Sequence, residues 1–340
     1  MSKNILELKN VTKIFKRGRH GQVIAVDNVT FTLREGKSTM VAIAGESGSG
    51  KSTLALLMMG QHLPTSGTVS YLGQDFAQMS RGESRVLRRE IQPIYQDPYG
   101  AYNPFYKVDH ILHMPIKHYD LAKSDQEADD MIAEALELVG LRPEETLGRY
   151  PFALSGGQRQ RLMVARALIC KPKVIMADEP VSMVDASLRA TILSSLQALN
   201  RQFGIDVVYI THDLTTAYQI CNNILIMYSG AVVEAGAVEK VIQAPKHPYT
   251  QLLTSSIPLP DIDARWVDID NDQDPALLFS PRETTGCRFA PRCPHALEKC
   301  WNQEPGIYLP DDHRSVSCFL YEDQPELESA DLADVFEYAS

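Results

Sequence analysis

The 340-residue sequence has no apolar run approaching the roughly 20 residues that a bilayer-spanning helix needs. That excludes a helical channel or permease within the chain. The amino terminus lacks a signal-peptide core, because Glu7 interrupts Ile5-Leu6 almost at once. A soluble, cytosolic protein is expected, reaching a membrane through partners. Positive charge is also scarce. Lys and Arg number 33 against 43 Asp and Glu, a formal net charge of −10. Nucleic acid is therefore not an expected partner, since it calls for a basic face. Cysteine is nearly missing from the first 286 residues, where Cys170 and Cys221 stand alone in apolar contexts and read as buried thiols. The other four of the six lie between Cys287 and Cys318. In a reducing compartment such a cluster points to metal rather than disulfides. No internal repeat is visible.

What the sequence does have is an apolar content of 44%, enough for a sizeable core, and one glycine-rich stretch around which the rest is arranged. The stretch is Gly45-Glu46-Ser47-Gly48-Ser49-Gly50-Lys51-Ser52-Thr53. Met40-Val41-Ala42-Ile43-Ala44 before it reads as a buried strand, and Leu54 to Met59 after it as a helix ended by Gly60. Strand, glycine-rich turn, Lys-Ser and helix make a phosphate-binding loop. Its glycines let successive N–H groups face the phosphates, the helix N-terminus adds a positive dipole end, and Lys51 adds a full charge. Ser52 can place its hydroxyl on Mg²⁺.

Around that loop the pattern is α/β. Ile5–Leu8 and Ala25–Leu33 alternate as half-buried strands, with Lys16–Gly21 a basic hairpin loop between them. Pro64–Gly67 is a turn before a strand at Thr68–Leu72. From about Ser84 to Lys171 the character is helical; Met131, Ile132, Ala135, Leu136 and Val139 share one face, and Gly140 ends it. Val174–Ala177 and Val207–Ile210 read as strands flanking a helix with Leu188, Ile192, Leu196, Leu199 and Phe203 inward and Asp185 as its cap. Ile224–Met227 and Ala231–Glu234 form a hairpin through Ser229-Gly230. Residues 261–274 read as a linker. Residues 322–340 carry seven acids and no base, which predicts a disordered tail.

Val174-Ile175-Met176-Ala177-Asp178-Glu179 brings two carboxylates to the end of an apolar strand, closed by Pro180. Following a phosphate loop, such a pair supplies one acid for Mg²⁺ (Asp178) and one for the attacking water (Glu179). Between loop and acids stands Leu154-Ser155-Gly156-Gly157-Gln158-Arg159-Gln160-Arg161. Here the sequence resembles the ABC ATPase family. The resemblance implies an α/β P-loop NTPase of ABC type: a RecA-like core, an antiparallel β-subdomain and a helical subdomain at about 84–171, together spanning 1–257. It implies that Ser155, Gly156, Gly157 and Gln158 meet the γ-phosphate of ATP bound by another subunit, so that a complete site needs a dimer. It further assigns Phe15 to adenine, Gln96 to Mg²⁺ and water sensing, and His212 to the γ-phosphate. Ser182-Met183-Val184-Asp185 departs from the usual Ser-Ala-Leu-Asp but keeps the aspartate.

Three further stretches narrow the resemblance to the oligopeptide/dipeptide permease ATPases: Gln96–Pro104, His247–Leu253 with Ile257-Pro258, and Gly286-Cys287-Arg288-Phe289-Ala290-Pro291-Arg292-Cys293-Pro294. The implied role is the ATP-hydrolysing subunit of a peptide importer, peripheral at the cytoplasmic face of the inner membrane. Its partners are two permease subunits, a second ATP-binding subunit (itself or a paralogue) and, indirectly, an extracytoplasmic solute-binding protein. Related systems serve oligosaccharides or nickel. A soluble ABC ATPase of translation or repair is the competing class, and tandem nucleotide domains or coiled-coil insertions would mark it. A redox-regulatory ATPase is a third. Residues 258–320 form a small cysteine-rich extension in which Cys287, Cys293, Cys300 and Cys318 are separated by five, six and seventeen residues. Four thiolates can hold zinc or an iron–sulfur cluster, or stay unliganded; the gaps exceed the tight spacing of zinc sites, and the resemblance points to [4Fe–4S].

Overall fold

The computed structural model of the protein describes residues 4–17, 21–36, 38–182, 184–256 and 285–338. Strands β1 (Asn4–Arg17) and β2 (Gly21–Arg34) pair antiparallel through several bulges. β3 (Met40–Ala44) runs into the phosphate loop and α1 (Lys51–Met58). β4 (Ser66–Tyr71) and the short β5 (Gln74–Asp75) return to the first hairpin, giving a sheet of order β2-β1-β4-β5. The helical stretch follows as α2 (Arg81–Glu90), α3 (Val108–Tyr119), α4 (Asp125–Leu138), α5 (Pro143–Thr146) and α6 (Gly156–Ile169), with strand β6 (Ile91–Ile94) set between α2 and α3. Then come β7 (Val174–Asp178), α7 (Ala186–Phe203), β8 (Asp206–Thr211), α8 (Leu214–Ile220), β9 (Asn223–Tyr228), β10 (Ala231–Ala237), α9 (Val238–Gln243), α10 (Pro248–Ser255), β11 (Tyr308–Asp311) and β12 (Arg314–Val316). The second sheet runs β11-β12-β10-β9-β3-β8-β7-β6, parallel from β9 to β6.

All five residues of β3 are buried, as a strand covered on both faces must be. Met40, Ala42 and Ala44 face one core, shared with α3, α4, α6 and α7. Val41 and Ile43 face the other, shared with the antiparallel sheet and α1. β8 splits the same way, Val207 and Tyr209 against Val208 and Ile210. The phosphate loop leaves the sheet between these two cores, so both hold it.

Five expectations change. The helical stretch contains β6, an edge strand paired in parallel with β7, hidden because Pro93 weakens its pattern and it directly follows a helix. Asp185 stands at the N-cap of α7 but its side chain makes no capping hydrogen bond. Phe203, placed inward by spacing, is 52% exposed because α7 outruns the core there. The cysteine-rich extension is not a separate appendage: β11 and β12 lengthen the main sheet by pairing with β10. Nor are residues 322–338 disordered. Leu332, Ala333, Val335 and Phe336 are buried, their segment packing on β2, β10 and β12 and Phe336 lying 5.7 Å from Phe31. Arg34 pairs with Asp331 (3.4 Å) and Asp334, and Asn223 exchanges hydrogen bonds with Glu337 at 2.7 and 2.9 Å. Seven acids concealed this apolar set. The tip of the first hairpin and residues 261–274 lie outside the described residues.

Candidate functional site

A cavity of about 720 Å³ opens along the phosphate loop and gathers Ser47, Gly48, Gly50, Lys51, Ser52 and Thr53 with Gln96, Glu179 and His212. The loop's shape depends on missing side chains. A Cβ on Gly45 would stand 2.2 Å from the carbonyl oxygen of Met227, and one on Gly50 would stand 2.1 Å from that of Ala25. Both have positive φ, 148° and 105°. Lys51 Nζ donates to the carbonyls of Gly45 (2.7 Å) and Glu46 (2.8 Å), so the ammonium lies inside the loop. Burial pulls its pKa down, while Glu179, Asp178 and Glu46 oppose the shift.

Glu179 directly follows β7 with φ of 43°, a left-handed conformation that costs a glutamate about 1–3 kcal/mol and marks functional positions. Its N–H donates to Ile210 O (2.9 Å), and its own carbonyl accepts from Ser182 Oγ (3.0 Å). The carboxylate accepts from Gln96 Nε2 at 2.8 Å and from His212 Nδ1 at 2.7 Å. Three segments that lie far apart in sequence therefore converge on one acid, the parallel order β6-β7-β8 placing Gln96, Glu179 and His212 just past adjacent strand ends. A carboxylate held between an amide and an imidazole beside a phosphate cradle is placed to take a proton from water. Asp178 sits behind it, outside the cavity lining; burial raises its pKa, Glu179 adds to the rise, and Lys51 opposes it.

Other expected residues stand elsewhere. Ser155 caps α6 in a reciprocal box with Gln158, its Oγ accepting from Gln158 N at 3.2 Å and its N–H donating to Gln158 Oε1 at 2.9 Å. A Cβ on Gly157 would lie 2.4 Å from Leu188 Cδ1, so a side chain there would have to displace that leucine. None of Ser155, Gly156, Gly157 and Gln158 lines the cavity. Phe15 is 37% exposed, edge-on to His62 at 5.7 Å, and does not line it either. Its cross-strand partner Val23 does, with Ile24, Ala25 and Ser229. Sequence reasoning missed these four; the available signal was the apolar pair Val23-Ile24 directly beside the basic hairpin loop.

The four clustered cysteines line one small cavity with His247, His295 and Phe289. Burial raises the thiols of Cys287, Cys293 and Cys318, the last to about 11. Among the described residues no group of three or more His, Cys, Asp or Glu is arranged to hold a metal ion, so a ready-made coordination shell is not found where the spacing suggested one. No helix among the described residues is long and apolar enough to cross a membrane.

Comparison with known proteins follows the same lines. The ABC transporter family profile matches residues 26–182, and that of the oligopeptide/dipeptide transporter C-terminal region matches residues 233–300. The di/tripeptide transport ATP-binding protein DppF of Pseudomonas aeruginosa is 37% identical over 321 residues, covering 92% of this chain and 97% of that protein. The oligopeptide transport ATP-binding protein OppF of Salmonella typhimurium is 39% identical over 297 residues, 86% of this chain and 87% of that one. Among solved structures, the dimeric ATP-binding cassette MJ0796 bound to ADP and Pi superposes with a TM-score of 0.61 at 31% identity, covering 68% of this chain and 98% of that one. With relatives this similar along nearly its whole length, the chain belongs to the ABC transporter ATP-binding subunits of the oligopeptide/dipeptide type.

Proposed function

We propose that the protein is the ATP-hydrolysing subunit of a peptide importer, working as a dimer with a second copy or a paralogue beneath two membrane permease subunits. One observation carries the reading: the cavity joins the phosphate loop to Glu179, Gln96 and His212, while the Ser155–Gln158 turn lies outside it. A glycine-rich helix N-terminus able to receive a phosphate, yet outside its own chain's cavity, is what a site shared between two chains requires. The dimeric cassette MJ0796 supports the same arrangement.

In this reading Gly45 to Thr53 cradle the triphosphate and Lys51 turns from its carbonyls to the phosphates. Adenine rests on the apolar edge of Phe15, Val23 and Ile24. Glu179 draws the proton from the attacking water, and His212 leaves the carboxylate for the γ-phosphate. Ser52, Gln96 and Asp178 would hold Mg²⁺, which supplies charge neutralisation on the phosphates. Their oxygen donors, with Asp178 buried beside Lys51, suit a hard cation. Localisation is peripheral, at the cytoplasmic face.

Co-expression with permease subunits tests this. A membrane-bound complex with Mg-dependent ATPase activity stimulated by peptide-loaded binding protein is expected. Recovery on ribosomes or DNA and never with permeases would overturn it, and stimulation by oligosaccharide or nickel would reassign the solute.

The cysteines are read as ligands of a [4Fe–4S] cluster. Support comes from the donor set, since soft thiols surround a single cavity and the main-chain N–H of Leu297 donates to Cys300 Sγ at 3.4 Å. Protein purified without oxygen is expected to be brown with about four irons per chain. A colourless protein with one zinc, or none, would remove the cluster.

A further inference from the structure

Glu46, the second residue of the phosphate loop, sets a carboxylate beside a site built for a polyphosphate anion, a placement that by itself opposes binding. It is answered from 246 residues away. Arg292 Nη1 donates to Glu46 Oε2 at 2.9 Å and Nη2 to Oε1 at 3.0 Å, a two-bond fork that a lysine could not reproduce. The main-chain N–H of Glu46 donates to Tyr249 Oη at 2.8 Å, so this amide faces the carboxy-terminal half of the chain. Lys51 Nζ bonds the carbonyl of the same residue. The turn on which the lysine rests is thus fixed from outside at both its backbone and its side chain.

Arg292 is itself seated for the task. Its guanidinium lies 5.7 Å from the ring centres of both Tyr228 and Phe289. Those rings pack with Tyr249 at centroid distances of 4.6 and 5.6 Å, and Tyr228 immediately precedes Ser229 of the cavity wall. The Arg292 side chain is 17% exposed and that of Glu46 is 40% exposed. An ordinary surface pair contributes little; here one partner is sunk among aromatics and the other belongs to the nucleotide loop.

We propose that Arg292 is a positioning residue for the nucleotide: it cancels the Glu46 charge within the phosphate loop and fixes the loop's first turn, so that the cradle and Lys51 meet an incoming triphosphate. The inference rests on the ATPase reading. It also makes the segment carrying Cys287 and Cys293 a determinant of nucleotide affinity.

The test uses the full chain and a fluorescent ATP analogue, with steady-state ATPase rates alongside. Arg292→Ala is expected to raise Kd and KM about ten-fold while kcat stays within about three-fold, because an unpaired carboxylate now repels the ligand before chemistry begins. Adding Glu46→Gln to that variant is expected to recover most of the lost affinity, and rising salt to narrow the gap. A part limited to docking the carboxy-terminal segment would be relieved by neither. Wild-type affinity in Arg292→Ala, or no recovery in the double variant, overturns the proposal. If Arg292→Ala does not fold, Arg292→Lys and Arg292→Gln decide: lysine keeps the charge and should bind several-fold more tightly, and equal affinities overturn the proposal. Wild-type protein that fails to bind the analogue would instead sink the ATPase reading and this inference with it.

Discussion

Glu179→Gln is expected to cut multiple-turnover ATP hydrolysis by about 10²–10⁴-fold while leaving nucleotide affinity within a few-fold of wild type. The geometry separates the two effects. The side chain reaches the cavity from the end of β7, in a backbone conformation held by Ile210 and Ser182, and touches no part of the phosphate loop through hydrogen bonds. A glutamine has the same shape, and its oxygen can still accept from Gln96 Nε2. What it cannot do is take a proton from water. The loop and Lys51 remain intact, so ATP should bind and not turn over, and the ATP-bound dimer should accumulate. Size-exclusion chromatography with ATP, beside a multiple-turnover assay, measures both. Hydrolysis near the wild-type rate would show that Glu179 is not the base.

That site was legible in the sequence because its parts are local motifs. The phosphate loop needs only a strand, three glycines and a helix, all adjacent in the chain. The acid pair needs only the strand that ends at it. The edge strand β6 was harder, since Ile91-Gln92-Pro93-Ile94 is too short and too interrupted to show a period, and its partner β7 begins some eighty residues later. The carboxy-terminal tail was misread because a count of charges cannot see Leu332, Val335 and Phe336 aligned toward one groove. Nothing near Glu46 announces Arg292. A pairing across 246 residues depends on the full path of the chain, and only the structure brings the two together.

Where pattern and structure disagree, one physical cause recurs. Sequence periodicity reports a segment's own faces, whereas burial at the edges of this fold is decided by what the carboxy-terminal residues cover. Phe203 satisfies its helical spacing and is left half exposed at the end of α7, where it borders an open groove with Met131 and Leu138. Phe336 satisfies no period and is 4% exposed because it meets Phe31 on β2. Val23 and Ile24 lie exposed on the antiparallel hairpin because they border the nucleotide cavity.

Lys51→Ala is expected to act on the other half of the reaction, weakening ATP binding by about 10²–10³-fold, the cost of removing one partner of a buried charged contact. Lys51 is 7% exposed, and its ammonium sits in a turn whose Gly45 and Glu46 carbonyls it satisfies. Its loss takes away the cation that meets the triphosphate. It also removes the positive charge facing Asp178, whose pKa burial already raises, and Glu179. The two carboxylates then confront the phosphates without an intervening cation, so the loss should exceed that of a single hydrogen bond. Raising ATP far above the wild-type Kd should restore little hydrolysis, in contrast to Arg292→Ala, where saturation restores most of it. Titration of the fluorescent ATP analogue checks the first effect and the rate at saturating ATP the second. Unchanged affinity in a folded Lys51→Ala protein would remove Lys51 from the phosphate contact and leave the loop's N–H groups as the sole carriers of binding.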